Sequence, residues 1–154
     1  MKKILVLHTG GTIAMSADEA GNVTPGAENP LDNYKSSFGA DIELTTEDVF
    51  NVPSPHITPA HMLQLKQRID KAAHEGNDGV VVTHGTDTLE ETAYFLDITL
   101  PNELAVVITG AMRSANEIGS DGLHNLETAI QTASAPDAAD KGVLVVMNDE
   151  IHSA

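Results

Sequence analysis

Four short runs of apolar residues most constrain how this chain can fold. They cover residues 4–7, 80–82, 104–108 and 143–147 and consist mainly of valine, isoleucine and leucine. A strand that is apolar at successive positions is buried on both faces, which is typical of a parallel sheet covered by helices. The runs therefore predict the central strands of such a sheet.

Helical patterns separate these runs. Apolar residues recur at intervals of three or four in three stretches, which gives each helix one buried face. The stretches are Met62, Leu65, Ile69 and Ala72; Leu89, Ala93, Leu96 and Leu100; and Leu123, Leu126, Ile130 and Ala133. Thr58 before Pro59 predicts the start of the first helix, and Gly76 its end. Thr88 with Glu91 three residues later predicts a capping box at the start of the second helix.

Strand and helix alternate along most of the chain, which predicts the α/β class. We expect an open, mostly parallel sheet with helices on both faces, in three layers like a flavodoxin or Rossmann domain. Residues 41–50 alternate partially and predict a weaker strand or a pair of short ones, and Ser120 or Asp121 is expected to cap the third helix. Residues 15–35 are rich in polar residues, glycine and proline, which predicts a loop whose length suggests a lid. No helical pattern follows the last strand, so we expect the 1–154 domain to be incomplete at its C-terminus.

The composition narrows the partners and the compartment. The formal net charge is -15 at pH 7 and only 3% of the residues are aromatic, so nucleic acid and anionic membrane surfaces are disfavoured partners. No apolar run approaches the roughly 20 residues of a membrane span, and the first run ends at His8, too early for a secretory signal. The absence of cysteine excludes disulfides and thiolate metal sites. These features predict a cytoplasmic protein.

Glycine, hydroxyl and carboxylate groups follow the predicted strands. The first run leads into Thr9, two glycines and Thr12; the second leads into Gly85, Thr86 and Asp87; the third leads into Thr109 and, further on, Ser114. Open α/β sheets bind ligands at the carboxyl ends of their strands. A hydroxyl nucleophile beside a base and backbone N–H groups is the apparatus of acyl transfer. We therefore expect the side-chain oxygens of residues 12, 86 and 87 to share one cavity.

Simpler roles compete with this interpretation. Thr12 could bond its own backbone in a turn, and Thr86 with Asp87 could serve only the start of a helix. The two glycines before Thr12 do not have the spacing of a dinucleotide-binding motif, and the sequence contains no Gly-Lys-Ser/Thr phosphate loop. The seven histidines form no metalloprotease motif. We expect neither a cofactor nor a metal, and we expect His8 and His84 to pack beneath the pocket.

The segments Thr9-Gly10-Gly11-Thr12-Ile13-Ala14 and HGTDTLEETA (residues 84–93) resemble the two signature segments of bacterial L-asparaginases. The resemblance extends in order through residues 108–113, 120–122 and 145–149. It implies hydrolysis of the side-chain amide of L-asparagine to L-aspartate and ammonia, through an acyl-enzyme on Thr12. It also implies the open α/β fold and a homodimer or homotetramer.

Further roles are implied by the same resemblance. Thr86 and Asp87 correspond to a catalytic hydroxyl and carboxylate that activate the nucleophile or the water and hold the substrate's amino group. Ser54 corresponds to the residue that binds the substrate's α-carboxylate. The backbone at Ala111 is expected near the leaving amide. We expect four residues to bind the substrate: Ser54, Gly85, Ala111 and Thr24.

The sequence departs from the family pattern at three points. Thr24 lies where the family carries a loop tyrosine, and Pro55 replaces a glutamine or serine that contacts substrate in many members. The family's catalytic lysine follows the segment that matches residues 147–154, so we expect an N-terminal fragment that is catalytically incomplete. Four other functions remain open: a glutaminase, the amidase component of a tRNA-dependent amidotransferase, an amino-acid-binding module without turnover, and a phosphate-binding module, which the acidic charge disfavours.

Overall fold

All four apolar runs form neighbouring strands of one sheet. The computed structural model describes residues 1–25, 41–101 and 103–154. The strands are β1 (Lys2–His8), β2 (Met15–Ala17), β3 (Val23–Pro25), β4 (Ile42–Asp48), β5 (Gly79–Thr83), β6 (Ala105–Thr109), β7 (Val143–Met147) and β8 (Glu150–Ser153). The helices are α1 (Pro59–His74), α2 (Leu89–Thr99) and α3 (Gly122–Ser134).

The main sheet has six strands in the order β4-β1-β5-β6-β7-β8. The first five are parallel, and β8 runs antiparallel to β7. In the register of β1 with β5, Ile4 lies opposite Gly79 and His8 lies opposite Thr83. The carboxyl ends of these strands therefore meet at one edge of the sheet.

Two hydrophobic clusters cover the two faces of the sheet. Leu5 and Leu7 of β1 belong to the cluster that contains the buried residues of α1 and α2. Ile4 and Val6 belong to the cluster that contains those of α3. Because successive residues of a strand point to opposite faces, an uninterrupted apolar run supplies both clusters. This arrangement confirms the predicted open α/β fold with helices on both faces.

The ends of α1 match the sequence pattern. The Thr58 hydroxyl accepts a hydrogen bond from the backbone N–H of His61, and the His61 ring accepts one from the backbone N–H of Thr58. Gly76 has a φ of 79° just after the helix. The backbone N–H groups of Gly76 and Asn77 reach back to the carbonyls of Ala73 and Ala72, which ends the helix as predicted.

The capping box predicted at α2 is wrong. Thr88 is the N-cap, but its side chain makes no capping hydrogen bond. Its hydroxyl donates instead to the carbonyl of Ser54 at 2.8 Å. Asp121 precedes α3 as predicted, although its carboxylate also leaves the helix uncapped and accepts from the backbone of residues 112 and 113.

Two segments contain strands that the sequence did not predict. Residues 15–25 form the antiparallel hairpin β2–β3 rather than an irregular loop, while residues 26–35 of the predicted lid lie outside the described residues. After β7 the chain turns at Asn148 and Asp149, whose φ angles are 51° and 65°. Two residues with positive φ match the right-handed twist of a tight hairpin, so β8 pairs with β7.

In the described parts of the chain, no helix has both the length and the apolar character required to cross a bilayer.

Candidate active site

A cavity of about 400 Å³ lies at the carboxyl edge of the sheet, where β1 and β5 end. The cavity is lined by Gly11, Thr12, Met15, Val23, Pro53, Ser54, Pro55, Gly85, Thr86 and Asp87. Thr12, Thr86 and Asp87, which the sequence proposes as catalytic, therefore border the same space. Ser54 and Gly85, which the sequence proposes as substrate-binding, border it too.

Two glycines bring the two strand ends together. Gly11 has φ 85° and ψ 173°, a conformation open essentially to glycine alone. A Cβ atom on Gly11 would lie 2.4 Å from both the Cα and the N of Gly85, so the two backbones are in direct contact. Thr12 follows this contact on one side and Thr86 on the other, which explains why both reach the same cavity.

Ser54 links the cavity wall to the segment that carries Asp87. Its side chain is buried, and its Oγ accepts a hydrogen bond from the backbone N–H of Asp87 at 3.1 Å. Its carbonyl accepts the Thr88 hydroxyl. A Cβ on Gly85 would lie 2.6 Å from Ser54 Oγ, so no larger residue fits at position 85 without displacing Ser54. The Ser54 hydroxyl hydrogen remains available to donate to an acceptor in the cavity.

His84 lies beneath the cavity and holds the turn in place. Nδ1 is 2.7 Å from the Gly85 carbonyl and Nε2 is 2.9 Å from the Thr92 hydroxyl of α2. Because a carbonyl only accepts, Nδ1 carries the hydrogen and Nε2 accepts from Thr92. Burial lowers the pKa of His84 below 6.5, so the ring is neutral at pH 7. His84 therefore has the packing role that the sequence analysis favoured.

Several hydroxyl groups at strand ends are structural. Thr9 donates to the carbonyl of Thr83, and Thr109 donates to the carbonyl of Val146, each inside the sheet. Ser114 is buried as well. None of these three hydroxyls lines the cavity: Thr9 and Thr109 donate to carbonyls of neighbouring strands, and Ser114 is buried elsewhere. His8 likewise bonds the Thr83 hydroxyl through Nδ1 at 2.8 Å.

Ala111 and Thr24 are not among the residues that line the cavity. Ala111 is buried where the loop after β6 meets the start of α3. Thr24 is exposed on β3 opposite Ser16, whereas its neighbour Val23 lines the cavity. Their proposed roles in substrate binding stay predictions, as do the roles of the lining residues.

Met15 and Val23, apolar residues of the cavity lining, were not predicted from the sequence. Both belong to the β2–β3 hairpin, which joins the wall of the cavity just after Thr12. The only available signal was the position of Met15, three residues beyond the proposed nucleophile. No group of three or more His, Asp or Glu side chains within residues 1–25, 41–101 and 103–154 could hold a metal ion.

Comparisons with known proteins point to one family. The family model described as "Asparaginase, N-terminal" matches residues 3–154. The L-asparaginase of Bacillus licheniformis is 44% identical over 155 residues, covering 99% of this chain and 48% of the relative. The glutaminase-asparaginase of Pseudomonas aeruginosa is 38% identical over 159 residues, covering 99% of this chain and 44% of the relative.

A solved structure has a similar fold. The probable cytoplasmic L-asparaginase from Campylobacter jejuni superposes with a TM-score of 0.85 at 38% identity, covering 99% of this chain and 46% of that one. The chain thus spans about half the length of the relatives it matches. With a family match along nearly its whole length and a shared fold, this chain belongs to the asparaginase family and corresponds to that family's N-terminal domain.

Proposed function

We propose that the whole protein hydrolyses the side-chain amide of L-asparagine, with Thr12 as the nucleophile. The observation that carries this proposal is the shared cavity of Thr12, Thr86 and Asp87. A threonine hydroxyl is a weak nucleophile until a base removes its proton. Asp87, with the Thr86 hydroxyl beside it, is the group in this cavity suited to accept or relay that proton.

The reaction has two halves. Thr12 Oγ1 attacks the amide carbon and forms an ester, while the C–N bond breaks and the nitrogen leaves as ammonia after gaining a proton. Water then attacks the ester, which releases L-aspartate and returns the proton to Thr12. Hydrogen-bond donors held in place around the oxyanion lower the energy barrier of both steps, typically by about 2.7–4 kcal/mol for each donor.

The lining also suits the substrate's charged groups. A cavity of about 400 Å³ is at the small end of ligand pockets, as an amino acid requires. The Ser54 hydroxyl can donate to the α-carboxylate, and the exposed Asp87 carboxylate can accept from the α-amino group. These assignments make Ser54 a binding residue and give Asp87 a second role beside proton transfer.

Replacing Thr12 tests the proposal. Thr12→Ala in the whole protein should lower kcat for asparagine by about 10³-fold or more, because the acyl-enzyme can no longer form. Thr45→Ala, at an exposed position on β4, is the matched control and should keep wild-type kcat. Trapping an acyl adduct on Thr12 by mass spectrometry would support the covalent step. Full activity in Thr12→Ala would overturn the proposed nucleophile.

Glutamine hydrolysis is a second candidate, because one relative is named a glutaminase-asparaginase. The two amides differ by one methylene, which a pocket distinguishes by only about 10–200-fold. The ratio of kcat/KM for asparagine and glutamine decides between them. A ratio below one would replace asparaginase by glutaminase as the proposed function.

We further propose that residues 1–154 alone have very low activity. The relatives are about twice as long, and we expect the remaining half to supply a lysine that tunes proton transfer with Asp87, a contribution of about 10²–10⁴ in rate. We propose that the whole protein is a homodimer or homotetramer. We also propose that it is cytoplasmic, because the Campylobacter jejuni relative is named a probable cytoplasmic L-asparaginase. The ratio of kcat for the whole protein to kcat for residues 1–154 tests the first proposal. The mass of the whole protein, measured by light scattering, tests its oligomeric state.

A further inference from the structure

A buried asparagine joins three segments directly behind the candidate site. Asn125, in the first turn of α3, has no exposed surface. Its Nδ2 donates to the Gly110 carbonyl at 2.9 Å and to Asp121 Oδ2 at 3.2 Å. Its Oδ1 accepts from the backbone N–H of Asn148 at 3.1 Å. One side chain thus connects the end of β6, the start of α3 and the turn between β7 and β8.

Asp121 extends this connection along the same loop. Its two carboxylate oxygens accept from the backbone N–H groups of Met112 and Arg113, each at 3.0 Å. Together with the bond from Asn125 to Gly110, these contacts fix three backbone positions within the turn that follows β6. Hydrogen bonds to a charged acceptor are the stronger kind, so the turn has little freedom to move.

The fixed turn and the start of α3 approach the segments that carry Thr86 and Thr12. A Cβ on Gly110 would lie 2.7 Å from the His84 carbonyl and 3.0 Å from Thr86 Cγ2. On the other side, a Cβ on Gly122 of α3 would lie 3.2 Å from Cγ1 of Ile13, the residue after Thr12. The same structural unit therefore supports both Thr86 and the turn that carries Thr12.

We propose that Asn125 is a positioning residue for amide hydrolysis, which acts by holding Gly110 against Thr86, with Asp121 fixing the rest of the turn. This inference rests on the proposed function. Asn125 does not line the cavity, so its effect on Thr86 passes through the contact of Gly110 with Thr86. A displacement of Thr86 relative to Thr12 by about 1 Å is expected to cost on the order of 10²-fold in rate, because the reacting groups lose their alignment.

The test is Asn125→Asp in the whole protein. The new side chain has the same shape but no N–H donors, and its carboxylate faces the Gly110 carbonyl and the Asp121 carboxylate. We expect kcat to fall by about 10–100-fold while KM stays within about threefold, because substrate binding is retained and transition-state alignment is lost. Measurements are made well below the Tm of every variant.

Asp97→Asn is the matched control. Asp97 Oδ1 accepts from the backbone N–H of Val143 at 2.8 Å, at the end of β7 farthest from the site. This substitution exchanges the same two side-chain types at a partly buried backbone contact and replaces a charged acceptor by a weaker neutral one, so it should lower Tm without changing kcat. If Asn125→Asp lowers Tm as Asp97→Asn does and also keeps wild-type kcat, Asn125 is merely structural and the proposal is overturned.

Asp121→Asn keeps the proposal testable if Asn125→Asp does not fold. An amide has one acceptor oxygen, so the N–H of Met112 or Arg113 loses its partner. We expect kcat to fall by about 3–10-fold with KM little changed, and an unchanged kcat would overturn the proposal. Failure of the wild-type protein to hydrolyse either amide would instead refute the proposed function, and with it the positioning role.

Discussion

The contact between Gly11 and Gly85 makes Gly11→Ala a sharp test of how the site is assembled. The substitution adds one methyl group to a residue at φ 85° and ψ 173°. That methyl group would lie 2.4 Å from two backbone atoms of Gly85. A flexible side chain could move aside, but these atoms belong to the turn that carries Thr86 and Asp87. The two strand ends must therefore separate.

Two costs add up in this variant. A residue other than glycine in this region of φ and ψ costs about 1–3 kcal/mol. Overpacking against atoms that cannot relax costs a further 1–3 kcal/mol, roughly. The free energy of unfolding should therefore fall by about 2–6 kcal/mol, which is a large share of the ~5–15 kcal/mol typical of a domain. Any molecules that fold should have their Thr12 and Thr86 turns farther apart, with lower kcat.

Gly76→Ala separates the two costs. Gly76 also has a positive φ, 79°, but no atom lies within 4 Å of the position its Cβ would take. Only the conformational cost applies, about 1–2 kcal/mol, and kcat should not change. Urea denaturation of both variants, with asparagine hydrolysis by the whole protein, gives the comparison. Equal loss of stability in the two variants, or wild-type kcat in Gly11→Ala, would refute the argument from backbone contact.

Three further predictions concern a hydroxyl and two titrating groups. Ser54→Ala removes the acceptor of the Asp87 N–H and should raise KM for asparagine by about 5–100-fold, which steady-state kinetics would show; an unchanged KM would exclude Ser54 from binding. The hydrogen bond from the Lys3 backbone N–H and, second in size, the one from the Lys2 side chain lower the pKa of Asp78 below 3.8. The Asp78 carboxylate therefore stabilises the fold fully above pH 3.8, and this contribution is lost as the pH falls through the lower pKa of the folded state. Urea midpoints measured down to about pH 2.5 should fall less steeply in Asp78→Asn, and parallel curves would contradict this. Burial lowers the pKa of His84 below 6.5 in the folded protein. As the pH falls below 6.5, the unfolded chain therefore binds a proton at this histidine before the folded protein does, and the free energy of unfolding decreases until the pKa of the folded state is reached. His84→Gln should flatten that part of the stability curve between about pH 7 and pH 5, and an unaltered slope would count against a neutral buried ring.

The sequence predicted the main sheet because burial on both faces leaves an uninterrupted apolar signal. The same topology explains why residues far apart in sequence meet: parallel strands end at one edge, so Thr12 and Thr86 reach the same cavity. The β2–β3 hairpin gave no such signal, because it lies outside the main sheet and few of its side chains are buried. Apolar periodicity reports burial, and it does not report pairing of polar strands.

Polar side chains were harder to assign because their partners are distant in sequence. Thr88 has the right neighbour for a capping box, yet its hydroxyl donates to the carbonyl of Ser54. Thr9 and Thr109 have the right position for a pocket, yet they donate to carbonyls within the sheet. Asn125 gave no sequence signal at all. A local sequence pattern does not show whether a hydroxyl or amide bonds a helix N–H, a distant carbonyl or a substrate, since each of these can be its hydrogen-bond partner.

The position of β1 in the sheet has a consequence for synthesis on the ribosome. β1 lies between β4 and β5 and precedes both in the chain, so its partners at residues 42–48 and 79–83 emerge much later than β1 itself. At about 5–20 residues per second, its apolar side chains wait several seconds for both neighbours. During that interval the nascent chain exposes a strand with two unpaired edges. A slow or paused ribosome before residue 83 should therefore increase chaperone dependence more than a pause after it.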